Sequence, residues 1–284
     1  MLRTNRDKLV MISVQGCISS PIFSDIGKVD INGRNFVLPG TGGISYNLKI
    51  GDPACGYAVD HAEPGVSTKN YDESKNNAYN FLSCVGNEAT VITGDGKGIK
   101  GFVTGMHGGI EHVICYFDPA QLDKLNIDDK INIKAFGQGM ELLDYPEIMV
   151  KNLDPDLLEK MNIEEKDGKL IVPVAKKIPG RIMGSGLGAT TSYRGDYDIT
   201  LFDEKAVEEY GLADLRLGDI VLLEDSDNTY GRNFVTGAVS IGVVVHSDCR
   251  IAGHGPGVTT LLTCKKPLIE GKIDPKANLA DIML

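Results

Sequence analysis

Glycine punctuation constrains this chain more than any other feature. Its β-branched runs are short and bounded by glycine, as in "KLVMISVQG", "ATVITG", "KGFVTG", "GAVSIGVVVH" and "VTTLLTC". Runs of this length and composition read as strands. The 34 glycines also gather into motifs, "PGTGG", "TGDGKG", "GMHGG", "GSGLG" and "GHGPG". Glycine permits positive φ and close backbone approach, so such motifs serve both as tight turns and as loops that press backbone N–H groups against a ligand. Long helices alternating with strands are absent, which disfavours a doubly wound parallel sheet.

An internal repeat sets where the few helices go. "DPAQLDKLNIDDK" (118–130) and "DPDLLEKMNIEEK" (154–166) align without a gap. Each reads as a short helix capped by Asp with Pro at its first position, followed by an alternating strand, "KINIKAF" or "GKLIVPV". "YDITLFDEKAVEEYGLADLRLGDIVLLE" repeats the strand–helix–strand order around Asp203. The expected fold class is α+β and strand-rich, with barrel-like or packed β-sheets, short crossover helices and an internal strand–helix–strand duplication. Pro, Lys and Glu cluster between 141 and 180. The expected division is therefore an N-terminal strand-rich half (1–140), a connecting excursion (141–180) and a C-terminal strand-rich half (181–284), with a single domain over 1–284 as the alternative.

Composition narrows the partners. The net charge is −10 and no basic run occurs. Phosphate backbones need clustered Lys and Arg, so nucleic acid is excluded as an expected partner. No stretch approaches the roughly 20 apolar residues that span a bilayer, and the first residues lack the apolar core of a signal peptide. The six cysteines form no Cys-x-x-Cys pair, which argues against a thiolate zinc site. Reduced thiols and a cytoplasmic location are the simplest reading. A small-molecule ligand and self-association into a homo-oligomer are expected, the latter because many short strands under few helices leave edges that need partners.

The chemistry-bearing residues gather at loops. All five histidines, His61, His107, His112, His246 and His254, lie beside glycine loops or at strand ends. Imidazole is the common general base near neutral pH and a common metal ligand. His246 follows the buried run Ile241–Val245. On a continued strand Asp248 would share its face and orient it. "VDHAEPG" adds Glu63, and "TGMHGGIEH" adds Glu111. "EDSDNTYGRNF" supplies Asp227, Asn228 and Arg232, the last suited to a ligand carboxylate. His107 and His112 flank Gly108-Gly109, which breaks a helix, so the helical two-histidine zinc pattern is absent. A divalent metal held by His and Asp or Glu from separate loops stays open, with its ligands and identity unknown. "GSGLGA" matches Gly-x-Gly-x-x-Ala but precedes a turn and strand rather than a helix, so it is not a dinucleotide fingerprint. Cys249 reads as a small core residue.

At "DHAEPGVS", "TGMHGGIEHV", "GSGLG…RGDYDI", "LGDIVLLEDSDNTYGRNF" and "GVVVHSDCRIAGHGPGVTTLLT" the chain resembles an uncharacterised prokaryotic family, domain of unknown function 4438, over nearly its whole length. The resemblance implies no activity. A fainter one, to acetamidase and formamidase proteins, rests on Ala62 to Gly65 of their Gly-Ala-Glu-Pro-Gly-Asp stretch. Here His61 replaces the first Gly and Val66 the final Asp.

Together these readings lead to an expected hydrolase or lyase acting on a small polar amide, imide or carboxylate. His246 or His107 is the expected general base, Glu63, Glu111 or Asp248 orients it or binds a metal, and metal assistance is an option. Ligand contacts are expected from His61, Glu111, His112, Arg232, Asp227, Asn228, His254 and Gly255. Backbone N–H groups of "HGG" and "GHGPG" are the expected oxyanion donors. The alternative from another class is a non-catalytic small-molecule, anion-binding or assembly protein.

Overall fold

A computed structural model describes residues 2–22, 28–34, 38 and 40–284; Pro39 of the "PGTGG" motif lies outside the described residues. The N-terminal half supplies β1 (Ile12–Ile18), β2 (Ile44–Ser45), β3 (Gly65–Lys69), β4 (Glu88–Val91), β5 (Lys100–His107), β6 (His112–Phe117) and β7 (Lys130–Ala135). They pair in the order β1-β7-β4-β5-β6-β3-β2, and β1 also pairs with β3. All these pairings are antiparallel, so the strands from β1 through β3 close into a six-stranded barrel with β2 on its rim. Closure removes the exposed edges that so many short strands would leave. Alternation fills the interior: Val14 and Ile18 of β1, Val113, Cys115 and Phe117 of β6, and Ile131 and Ile133 of β7 share one buried cluster. The helix α1 (Glu73–Leu82) packs Tyr79 into the same cluster.

The C-terminal half carries β8 (Met149–Val150), β9 (Glu164–Lys166), β10 (Lys169–Val174), β11 (Lys176–Ile178), β12 (Ile220–Asp227), β13 (Asn233–Val244), β14 (Val258–Cys264) and β15 (Ile269–Ile273). A five-stranded sheet runs β11-β12-β13-β14-β8, and a three-stranded one runs β15-β10-β9. The stretch 141–180 thus supplies strands to both sheets. In β12, Ile220 and Leu222 face one core cluster while Val221 and Leu223 face another. Burial on both faces is why "DIVLL" reads as an unbroken apolar run. Short helices α2 (Pro155–Lys160) and α4 (Leu279–Met283) bury Leu157, Leu158 and Leu279 in one core cluster, and α3 (Glu204–Glu209) buries Ala206 in another. Among the described residues no helix is long and apolar enough to cross a membrane.

The repeat appears in the structure as a shared capping device. The side chains of Asp118, Asp154 and Asp203 each accept a hydrogen bond from the backbone N–H two residues on. The first helix of the three, Pro119–Lys124, is a 3-10 helix. The third copy departs from expectation. "YDITLF" forms only isolated bridges, Met183 with Ile199 and Asp198 with Gly257.

The barrel and the five-stranded sheet meet where β5 approaches the end of β13. Ile114 of β6 sits in the same cluster as Ile241, Val243, Val245 and Leu261. Gly105 makes the close approach possible, since a Cβ there would overlap the side chain of Val245. Two hydrogen bonds lock the junction: Met106 N–H donates to Thr259 Oγ1 at 3.0 Å, and Thr259 Oγ1 donates to Met106 C=O at 3.1 Å. One residue beyond each of these contacts stands a histidine, His107 after Met106 and His246 after Val245. The junction therefore fixes the two rings relative to each other, with centroids 4.1 Å apart.

Candidate functional site

His107 ends β5 and His112 begins β6, and the two are register partners across the hairpin. Directly opposed residues share a face, so both rings reach one carboxylate. Glu63 accepts from His107 Nδ1 at 2.6 Å and from His112 Nδ1 at 2.9 Å. It also accepts from Ser67 Oγ at 2.5 Å and from Gly42 N–H at 2.8 Å. Burial would push this carboxyl up, but the two imidazoles overcome it and hold it well below the usual carboxylate range. Glu63 is thus a buried anion that fixes His107 with Nδ1 turned inward. The ring nitrogen left over is Nε2.

His246 is tied in a parallel way. Its Nδ1 donates to the carbonyl of Ser247 at 2.8 Å, and its Nε2 lies 2.5 Å from Asp196 Oδ2. Burial works against a charged His246, yet the adjacent Asp196 carboxylate outweighs it and raises the pKa to about 9. Asp196 in turn accepts from Gly108 N–H at 2.7 Å. Asp198 accepts from Gly255 N–H at 3.2 Å and stands 3.3 Å from His254 Nδ1. Tyr197, between the two aspartates, exchanges backbone hydrogen bonds with Val258. Extended backbone at Tyr197 sends Asp196 and Asp198 to the same side, toward the histidines. One ligating atom each from His107, Asp196 and His246 lies within 4.8 Å of the other two.

His61 completes the cluster. Its ring lies 5.6, 5.1 and 5.3 Å from the rings of His107, His246 and His254, and its Nε2 is 3.3 Å from His254 Nδ1. Burial, then the neighbouring imidazoles, depress its pKa to about 2. His61 has φ +53° and Glu111 φ +58°, left-handed conformations uncommon outside glycine. Such strain concentrates at functional sites, where the surroundings hold it in place. Both residues line one cavity of about 390 Å³, together with His107, His254, Asp196, Asp198, Arg194, Arg232 and the loop Ser185–Thr191.

Of the residues expected from sequence, His61, His107, Glu111, Arg232 and His254 meet in this cavity. His246, Glu63 and His112 lie buried behind its wall. Asp248 does not orient His246. The strand ends at Val244, so face alternation no longer holds, and the Asp248 carboxylate instead accepts from Gly56 N–H at 3.3 Å. Asp227 and Asn228 do not line the cavity either. Asp227 accepts from Thr229 N–H at 3.0 Å, and Asn228 Nδ2 donates to Thr260 Oγ1 at 3.0 Å, which makes both of them braces of the β12–β13 loop. Gly255 and Gly108 spend their N–H groups on Asp198 and Asp196, so these two are not free oxyanion donors. The sequence reading missed Asp196 and Asp198. The pattern that marks them is Asp-x-Asp in an extended stretch, visible in "RGDYDI" but hidden beside a glycine motif. It also left out the "GSGLGATT" loop as a wall of the site.

Two family models cover the chain. The model described as domain of unknown function (DUF4438), N-terminal, matches residues 28–159, and its C-terminal counterpart matches residues 160–283. No curated protein is matched. A solved structure described as "Crystal structure of TM1086" shares 49% identity at a TM-score of 0.95, covering 100% of this chain and 99% of that one. The two family models together span residues 28–283, and the chain belongs to the family of domain of unknown function 4438.

Proposed function

We propose that this chain is a metal-assisted hydrolase, or a related lyase, of a small polar amide, imide or carboxylate. The metal is a divalent transition ion held by Nε2 of His107, Nε2 of His246 and a carboxylate oxygen of Asp196. One observation carries this reading. One candidate ligating atom from each of these three residues lies within 4.8 Å of the other two, and Nδ1 of each ring donates outward, to Glu63 and to the Ser247 carbonyl; the ion would take the place of the proton that His246 Nε2 now shares with Asp196 Oδ2. Metal-bound histidines nearly always donate their second N–H to a carboxylate or a backbone carbonyl, and here both forms occur side by side.

Two histidines and one carboxylate leave coordination positions open, the mark of a catalytic rather than a structural ion. Such an ion polarises a carbonyl and lowers the pKa of bound water to about 7. His254, at the cavity wall with Nδ1 3.3 Å from Asp198, would be the group placed to take up a proton from a water activated there, while His61, held neutral by burial and its imidazole neighbours, would line the site. The glycine-rich loops position the carboxylates of Asp196 and Asp198 and shape the cavity.

The test is metal analysis of protein purified without chelator, followed by incubation with small amides, imides and carboxylates in the presence of Zn²⁺ or Mn²⁺. Turnover that a chelator abolishes and metal restores supports the reading. A stoichiometric ligand that binds without metal and leaves chemically unchanged replaces it with the non-catalytic binding protein.

A further inference from the structure

Two buried polar atoms at the cavity have no hydrogen-bond partner among the described residues. Arg232 is 4% exposed; its Nη2 donates to the Arg194 carbonyl at 2.9 Å, and its Nε makes no hydrogen bond. No carboxylate among the described residues forms an ion pair with it. Asp196, Asp198 and Glu111 stand close enough to be felt, but none pairs with the guanidinium: the Asp196 and Asp198 oxygens serve Gly108 and His246, and Gly255 and His254, and Glu111 pairs with Arg194. A buried guanidinium without a paired anion is costly. The second atom is Glu111 Oε2, which accepts no hydrogen bond although its side chain is 36% exposed; it forms a long ion pair with Arg194 Nη1 at 4.0 Å, which leaves room for a hydrogen-bond donor from a ligand. Glu111 is held there by a left-handed backbone at the turn of the β5–β6 hairpin.

We infer that the molecule this cavity accepts carries a carboxylate for Arg232 and, a short distance away, an N–H or ammonium donor for Glu111: an amino acid or an N-acyl or N-carbamoyl amino acid. This rests on the proposed function only in taking the same cavity as the site, and it names the substrate class for it. Arginine's planar fork matches a carboxylate with two parallel N–H bonds, which a lysine cannot reproduce. A neutral acceptor such as a ketone would leave the Arg232 charge uncompensated. A dianion without an N–H would meet the Glu111 carboxylate with like charge. An amide or ureido nitrogen on the α-carbon satisfies both atoms at once, and it places the acyl carbonyl in a cavity whose wall also holds His107 and Asp196.

The experiment is calorimetric titration of metal-free protein and of zinc-loaded protein with N-acetylglycine, N-carbamoylglycine, free glycine and N-acetylglycinamide, the last lacking the carboxylate. The expected result is binding by at least one carboxylate-bearing probe, at least tenfold tighter than by N-acetylglycinamide. Arg232→Gln should weaken that binding about thirtyfold or more, the scale for removing one partner of a buried charge pair. Arg232→Lys should restore part of it, which distinguishes recognition from loss of folding. Glu111→Gln should weaken N-carbamoylglycine more than it weakens acetate, titrated alongside as a carboxylate probe without an N–H; equal weakening of the two removes Glu111 from the inference. Equal binding of the carboxylate and carboxamide probes overturns the inference, as does no binding by any probe or unchanged binding in Arg232→Gln. Zinc stoichiometry is read in the same samples. Carboxylate-selective binding by a chain that takes up no zinc overturns the metal-assisted reading alone, and stoichiometric zinc without carboxylate preference overturns this inference alone.

Discussion

His246 Nε2 meets Asp196 Oδ2 at 2.5 Å in space that only a glycine at position 257 leaves open. A Cβ on Gly257 would overlap both the Asp196 carboxylate and the His246 ring. Gly257→Ala should therefore push the pair apart. Overpacking of this kind costs about 1–3 kcal/mol, so the melting temperature should fall while metal affinity falls with it. Differential scanning calorimetry and metal titration of the same variant check both; unchanged stability and metal affinity in Gly257→Ala would remove Gly257 from the account.

Glu63→Gln tests the support behind His107. The Glu63 carboxylate accepts from four buried or part-buried donors, Gly42, Ser67, His107 and His112, and a glutamine amide nitrogen can accept from none of them. Loss of the carboxylate behind a ligating histidine typically lowers metal affinity about 10- to 100-fold. Chelator competition should place Glu63→Gln in that range, and a glutamine variant binding metal like the wild type would show that His107 needs no carboxylate.

Lys151 predicts a pH dependence of stability that comes from a group outside the proposed metal ligands. It is 1% exposed, its Nζ donates to the Thr229 carbonyl at 2.8 Å, and it lies 3.5 Å from the centre of the Tyr193 ring. Burial lowers its pKa from 10.5 to about 8. The unfolded chain then binds the extra proton between those values, so this group's contribution to stability rises with pH across that window and is at its most unfavourable below about 8. Denaturation of wild type and Lys151→Met at a series of pH values should show their difference shifting toward the wild type by about 3 kcal/mol from pH 8 to pH 10.5. A difference that stays flat, or runs the other way, contradicts the assignment.

Gly105→Ala tests the junction that brings the two halves of the site together. A Cβ there would overlap Val245, the residue before His246. The expected outcome is again a loss of about 1–3 kcal/mol, with the His107–His246 spacing disturbed and metal binding weakened. Metal affinity that survives a clear loss of stability would mean that the ligand geometry does not depend on this contact.

Part of this site was legible in the chain because it obeys local rules. Asp118, Asp154 and Asp203 announce helix starts through spacing alone, and His61, His107 and His254 sit beside glycines that mark loops. Glu63 was readable as a carboxylate near a histidine, though not its bonds to His107 and His112, which need the β5–β6 register. What escaped depends on contacts between distant segments. Asp248 was placed by strand alternation past Val244, where the chain had already left the sheet. Asp196 lies 50 residues from its partner His246, and local periodicity carries no information about such a pairing.

Cobalt titration of the metal-free chain tests the central claim most directly, because the visible ligand-field absorption of Co²⁺ reports ligation by the protein. The expected result is a band that saturates at one ion per chain and is lost in His107→Gln and in His246→Gln, with both variants still folded by circular dichroism. No band in the wild type, or a band of the same intensity and affinity in both variants, would contradict a metal centre built on His107, Asp196 and His246.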